Sequence, residues 1–206
     1  ARRTAITDKK MEWTIQSLVT VTQPLESLKI RTMAVQQQEL NHSLKLVSFN
    51  MHGFNQGQPT LDELITDIQP DVLLLQEHWL TPANINKFDI FADYFSFGCS
   101  AMVKSVELSI LRGRPFGGVL TLISNKLRKI SETIFCSDRF NIVKIGNLLI
   151  TNVYLPCVGT EHRLLVTQDL FADIVAWRQN FPTCDWIIAG DFNIDLLKAE
   201  SHPPTT

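Results

Sequence analysis

Apolar and polar positions along the chain fall into short alternating runs separated by turn-forming clusters. From Leu44, "LKLVSFN" alternates with the two-residue period of a half-buried strand and ends at Asn50 in a polar loop, "NMHGFNQGQP". Thr60 followed by Glu63 is a capping-box signature that predicts a short helix over "LDELITDI". Gln-Pro-Asp then breaks into the apolar run "DVLLL", which ends at "QEHW". A strand, a helix and a strand in this order predict parallel neighbours, because a helical crossover returns the chain in its starting direction. Asn50 and Glu77 should then emerge at the same sheet edge.

Further along, "RPFGGVLTLIS" (114–124) reads as a basic loop, a glycine pair and a strand. Gly117 and Gly118 suit a tight strand entry with close backbone packing. "RFNIVKIGNLLITNVYLP" predicts a hairpin around a Gly146-Asn147 turn. Between Thr160 and Asn180, Leu164, Leu170, Phe171, Ile174 and Trp177 recur at helical spacing, and "DWIIAGD" predicts a last strand ending in a carboxylate. Residues 1–43 have only scattered apolar positions, interrupted by Pro24 and a "QQQ" run, and read as a leader or linker, partly helical or disordered. The remainder, 44–206, is expected to form one domain. Strands mixed with helices predict an α/β sandwich.

Composition narrows the partners more than the fold. At 206 residues and 45% hydrophobic the chain can bury a core, and a net charge of -2 provides no global basic field. A nucleic-acid partner would have to be held by local patches or by metal ions. Arg112, Arg114, Lys126, Arg128 and Lys129 form a mid-chain basic bias that suits either phosphate contact or an ordinary solvated surface. Cys99, Cys136, Cys157 and Cys184 are widely spaced without a CxxC, which argues against zinc and against a disulfide framework. Four reduced thiols in an intracellular protein are expected. No apolar run approaches the roughly 20 residues of a membrane span. Ala1 at the start and "SHPPTT" at the end read as cut or read-through termini.

The predicted strand ends offer Asn50, Glu77, Tyr154 and the pair Asp191 and Asn193. Taken singly, each has a plain reading as a turn former, a cap or an Asx turn. Together and in order, "SFNMHG", "LLLQEHW", "TNVYLP" and "GDFNID" resemble the motifs of the endonuclease/exonuclease/phosphatase superfamily, the metal-dependent phosphodiesterases. "GRPFGGVLTLISN", with "SAMVKS" before it, looks more particularly like the endonuclease domains of LINE-type retrotransposons. The resemblance covers about residues 44–197.

It implies a four-layer α/β sandwich, two β-sheets faced by helices, incomplete at its C-terminal side. It also implies nicking of DNA with Mg²⁺, or Mn²⁺, to leave a 3′-hydroxyl. A hard cation of this kind takes oxygen ligands, which suits Glu77 as a direct metal ligand, with Asn50 adding an uncharged oxygen or orienting a metal-bound water. Asp191 is placed to orient or deprotonate the attacking water. Asn193, on the same face if the chain is extended there, would donate to a phosphate oxygen, and Tyr154 to the phosphate or the leaving oxygen. His52 and His78 are left out, since an oxygen-lined magnesium site has no use for imidazole. The family's downstream Ser-Asp-His motif has no match after Asn193, and His202 lacks the preceding Asp. The resemblance therefore implies a truncated, inactive chain, nuclear if its substrate is chromosomal DNA, with no membrane and no small-molecule cofactor. The alternatives are a non-catalytic remnant or binding module and a phosphodiesterase for small or lipid phosphate esters.

Overall fold

In the computed structural model, residues 17–21, 44–108 and 115–193 are described, the first stretch as backbone only. The strands are β1 (Ser17–Val21), β2 (Leu44–Asn50), β3 (Val72–Gln76), β4 (Tyr94–Cys99), β5 (Val119–Ser124), β6 (Ser131–Cys136), β7 (Phe140–Ile145), β8 (Leu148–Tyr154) and β9 (Asp185–Asp191). Helix α1 runs Phe54–Ile68, α2 Val103–Glu107 and α3 Arg163–Gln179. They build a five-stranded sheet in the order β1-β2-β3-β5-β4 and a four-stranded sheet in the order β6-β7-β8-β9. Among the described residues no helix is long and apolar enough to cross a membrane.

Side-chain alternation explains the layering. Val47, Phe49, Leu73, Leu75, Leu120 and Leu122 pack with Leu61 and Leu64 of α1 and with Phe88. Leu46, Val72, Leu74 and Ile123, one position out of phase, meet Val143, Ile145, Ile150 and Ala189 of the second sheet. That sheet's other face, through Phe140, Ile142, Leu149 and Val153, receives Leu170 and Ile174 of α3. Strands buried on both faces read as continuous apolar runs, which is why "VLLL" shows no alternation. The result is the expected sandwich of helix, sheet, sheet and helix. Its expected incompleteness falls on residues after 193, outside the described residues.

Each sheet contains one parallel pair, β2 with β3 around α1 and β8 with β9 around α3. The other neighbours are antiparallel. The Gly146-Asn147 hairpin forms where expected, with Gly146 at φ 58.

Three expectations need correction. The helix expected to start at Thr60 begins six residues earlier at Phe54, so Thr60 and Glu63 lie inside α1 and the polar loop shrinks to residues 51–53. Burial of Phe54 edge-on against Phe88, with ring centroids 5.0 Å apart, outweighs the turn-like composition of "NQGQP". Pro59 costs a single backbone donor near the helix start. Within the stretch read as a partly helical leader, Ser17–Val21 is instead an edge strand antiparallel to β2. Its Val-Thr-Val run has the β-branched character strands favour. Finally, Leu164, assigned to the apolar stripe of α3, is 67% exposed, while Leu170 and Ile174 carry the packing.

Candidate active site

Reading the inward-facing positions of the four parallel-paired strands from N- to C-terminus shows how the sequence builds a polar end. They run Leu46, Ser48, Asn50 on β2 and Val72, Leu74, Gln76 on β3. On β8 and β9 they run Ile150, Asn152, Tyr154 and Ile187, Ala189, Asp191. Apolar residues seal one end of the intersheet space, amides fill its middle, and the C-terminal ends carry chemistry. Register places Asn50 opposite Gln76 and Tyr154 opposite Asp191.

The middle layer is fully buried and internally satisfied. Gln76 Nε2 donates to Asn152 Oδ1 at 2.7 Å, and Asn152 Nδ2 donates to the Leu75 and Leu120 carbonyls at 3.1 Å each. Thr121 Oγ1 donates to Asn141 Oδ1 at 2.8 Å, and Asn141 Nδ2 to the Phe97 carbonyl at 3.0 Å. Both groups cross from one sheet to the other, so they fix how the sheets are aligned beneath the site.

At the strand ends, one amide joins the carboxylates. Asn50 Nδ2 donates to Glu77 Oε1 at 2.9 Å and to Asp191 Oδ2 at 2.7 Å. Asn50 Oδ1 accepts from the His52 N–H at 3.0 Å, which leaves one lone pair for a water or a cation. Glu77 Oε2 accepts from Trp79 Nε1 at 3.2 Å and lies 3.7 Å from His52 Nδ1. Asp191 is 4% exposed. Burial first, and then the nearby Glu77 carboxylate, push the Tyr154 phenol well above its ordinary pKa, against a smaller opposing effect of Arg139. Tyr154 therefore stays a hydrogen-bond donor. Asn50, Glu77, Asp191 and Tyr154 thus meet at one point across the two sheets.

Asn193 does not take the extended geometry anticipated for it. Its φ is 49, its backbone N–H donates to Asp191 Oδ1 at 2.9 Å, and its Nδ2 donates to the Leu155 carbonyl at 2.7 Å. The Gly-Asp-Phe-Asn segment closes as an Asx turn, since the Asp side chain can capture the N–H two residues on. Asn193 holds Asp191 in place through its backbone N–H, and one of its two amide hydrogens is engaged by the Leu155 carbonyl. Lys126, Arg128 and Lys129 follow the C-terminal end of β5, which pairs with the start of β3 and so lies at the opposite end of the sandwich. Arg128 stacks over Phe95 at 4.5 Å. Arg112 and Arg114 lie outside the described residues.

A cleft of about 270 Å³ opens beside Glu77 and Tyr154, lined also by Trp79, Phe116, Asp138 and Arg139. Phe116 is 57% exposed, and the Arg139 guanidinium lies 5.1 Å from the Tyr154 ring centre. Trp79 and Phe116 fall within the "LLLQEHW" and "GRPFGGVLTLISN" stretches and Arg139 opens "RFNIVKIGNLLITNVYLP", yet sequence reasoning singled out none of them as a site residue, and Asp138 lies in the turn just before Arg139.

The backbone around the cleft is bent to present these groups. His52, Glu77 and Trp79 hold φ of 50, 52 and 52, a conformation that non-glycine residues adopt seldom and at a cost. Gly53 at φ 99 and Gly118 at φ 89 are required by contact as well as by conformation. A Cβ would lie 2.6 Å from the Trp79 ring at Gly53 and 2.4 Å from His78 Nε2 at Gly118. The Gly53 N–H donates to the Glu77 carbonyl at 2.7 Å, and the Glu77 N–H to the Gly118 carbonyl at 2.9 Å, pinning the bend from both sides.

His78 is structural. Its Nε2 donates to the Cys99 carbonyl at 3.1 Å, and its Nδ1 accepts from the Leu80 N–H at 3.1 Å, which requires the neutral ring. Burial lowers its pKa from 6.5 to about 4. Because the folded form resists protonation, this contribution is complete above pH 6.5 and is lost as pH falls from 6.5 through 4. Between pH 7.5 and 5 it should cost about 2 kcal/mol of stability. Urea unfolding should show a smaller pH dependence in His78→Gln than in the wild type. Equal slopes would contradict this account.

The profile of the endonuclease/exonuclease/phosphatase family matches residues 47–206, and the chain belongs to that family. Among solved structures it is similar to the 3′ phosphatase NExo from Neisseria bound to a product DNA hairpin, at 17% identity and a TM-score of 0.52, covering 72% of this chain and 57% of that one. An AP endonuclease from Archaeoglobus fulgidus is similar over the same shares, at 17% identity and a TM-score of 0.50. At this identity the likeness establishes the fold, and the chain spans less than two thirds of either protein. No curated protein sequence matches the chain.

Proposed function

We propose that the chain is a metal-dependent phosphodiesterase that nicks DNA, of the kind LINE-type retrotransposons carry. The observation that carries this reading is the single Asn50 amide holding the Glu77 and Asp191 carboxylates together beside Tyr154. Two carboxylates with a further amide oxygen form a hard, oxygen-only donor set that fits Mg²⁺ or Mn²⁺, ions that take one or two carboxylates and keep several waters. Among the described residues no cluster of three or more His, Cys, Asp and Glu gathers around such a point. The ion would be held by Glu77, with Asn50 Oδ1 in reach of one of its waters. When bound, it supplies charge neutralisation on the phosphate and lowers the pKa of water.

The chain's own groups do the rest. Asp191, oriented by Asn50 and by the Asn193 N–H, accepts the proton of the water that attacks phosphorus. Tyr154 donates to a phosphate oxygen as charge develops there, and Arg139 behind its ring adds positive charge on the same side. The P–O bond to the 3′ oxygen breaks, and that oxygen takes a proton from solvent, leaving a 3′-hydroxyl and a 5′-phosphate. Trp79 and Phe116 offer flat apolar faces along the cleft to the neighbouring nucleotides. The product hairpin in the Neisseria structure supports DNA as the partner.

Among the described residues, no histidine–aspartate pair stands at the cleft to assist the leaving oxygen. On its own the chain is therefore proposed to turn over slowly. Supercoiled plasmid is incubated with Mg²⁺ or with chelator, using this chain and one extended by a Ser-Asp-His segment of the family type. Magnesium-dependent nicks from the extended chain, and at least about 10²-fold fewer from the short one, are expected. Equal rates would overturn the proposed slow turnover. DNA binding without any nicking by either chain would favour a non-catalytic binding module.

A further inference from the structure

Cys99 ends β4 and Cys136 ends β6, so the two belong to different sheets. All four cysteines are free, and this pair is brought together across the sheets: Cys136 pairs in register with Asn141, whose Nδ2 donates to the carbonyl of Phe97, two residues before Cys99, and the two thiols interact with each other. β4 is an edge strand of the first sheet and β6 an edge strand of the second, and the two pack against each other. The walls of the cleft rise directly from these two positions. Ala101 follows Cys99 by two residues, and Asp138 and Arg139 follow Cys136 by two and three. The Cys99 carbonyl also receives the His78 Nε2 proton, next to Glu77 in the chain. Nothing in the proposed chemistry uses either sulfur.

We infer that Cys99 and Cys136 form a redox-responsive clasp, which a low-molecular-weight disulfide such as glutathione disulfide oxidises to an intersheet bond at the base of the cleft. The Cys99 thiolate attacks the small disulfide and expels one thiolate, giving a mixed disulfide. The Cys136 thiolate then attacks Cys99 Sγ, expelling the second thiolate and closing the bond. The protein loses two thiol protons and two electrons, and the small disulfide becomes two thiols. The order follows from the surroundings. The hydrogen bond from Cys136 lowers the Cys99 pKa against the opposing effects of burial and Asp138. The same bond, reinforced by burial, raises that of Cys136. Cys99 is the thiol that reacts first. Oxidation ties together the two stems that carry the cleft walls and so fixes its width.

The test equilibrates the whole chain, without denaturant, in buffers of rising glutathione disulfide to glutathione ratio. It then counts thiols and maps peptides by mass. The free-thiol count should fall from four to two, with one crosslinked peptide pair joining Cys99 to Cys136. The melting temperature should rise by roughly 5–10 °C and return on adding dithiothreitol, because the closed loop restricts the unfolded chain. Cys99→Ser should form no internal crosslink. If that variant folds poorly, Cys136→Ala supplies the same comparison, and the wild-type peptide map decides alone. Four thiols persisting at every ratio, or a crosslink through Cys157 or Cys184, would overturn the inference. These readouts are independent of whether the chain cleaves DNA.

Discussion

Glu77→Gln is expected to reduce magnesium-dependent nicking by the extended chain by on the order of 10²- to 10³-fold, the scale seen when one preorganised catalytic group is removed. The substitution is nearly isosteric, and its one amide oxygen keeps the acceptor for Asn50 Nδ2, while the bond from Trp79 Nε1 to the other carboxylate oxygen is lost. The fold should therefore survive. What is lost is the negative charge, and with it most of the affinity of the site for a divalent cation. Rates measured at saturating and subsaturating Mg²⁺ separate the two effects. A loss that saturating Mg²⁺ restores in full would assign Glu77 to ion binding alone. A rate unchanged at every concentration would remove Glu77 from the site.

The largest stability effect is expected from Asn152→Ala. Asn152 is fully buried and makes three hydrogen bonds across the sheets, two donated to the Leu75 and Leu120 carbonyls and one accepted from Gln76. Truncation removes the second donor from each of those carbonyls, which the β3–β5 ladder still pairs, and leaves one Gln76 hydrogen unpaired beside the space the amide filled. Three lost buried hydrogen bonds at about 1 kcal/mol each, with the cavity left behind, give an expected loss on the order of 4 kcal/mol. Chemical denaturation should show a lower midpoint with little change in slope. Asn84→Ala, whose hydrogen bond to Thr81 lies at the surface, should cost under about 0.5 kcal/mol. If the two variants lose equally little, the amide layer does not hold the sheets together.

The parallel β2–β3 pair, the Gly146 hairpin, α3 and the closing strand were legible because their apolar periods match their surroundings. The strand-end residues Asn50, Glu77, Tyr154 and Asp191 were legible because a polar group directly after an apolar strand has few other places to go. The start of α1 was hidden because Asn, Gly and Pro in "FNQGQP" favour a turn locally, while the burial of Phe54 is decided by Phe88, 34 residues away. The amide layer was hidden for a related reason. A polar residue inside an apolar strand, such as Gln76 or Asn152, looks like a defect until the facing sheet supplies its partner. Parity along the strand was the available signal, since Ser48, Gln76 and Asn152 all fall on the same inward face as the strand-end residues Asn50, Tyr154 and Asp191. The turn at Asn193 was hidden because an extended chain was assumed where Asp191 captures its N–H.

The most direct test of a cation centre between the two sheets is anomalous diffraction from crystals grown in MnCl₂. A peak is predicted within about 2.2 Å of a Glu77 carboxylate oxygen, on the side facing Asp191 and Tyr154, and absent from Glu77→Gln crystals. A Mn²⁺ peak bound elsewhere, with the space between Glu77 and Asp191 empty at saturating metal, would contradict the account.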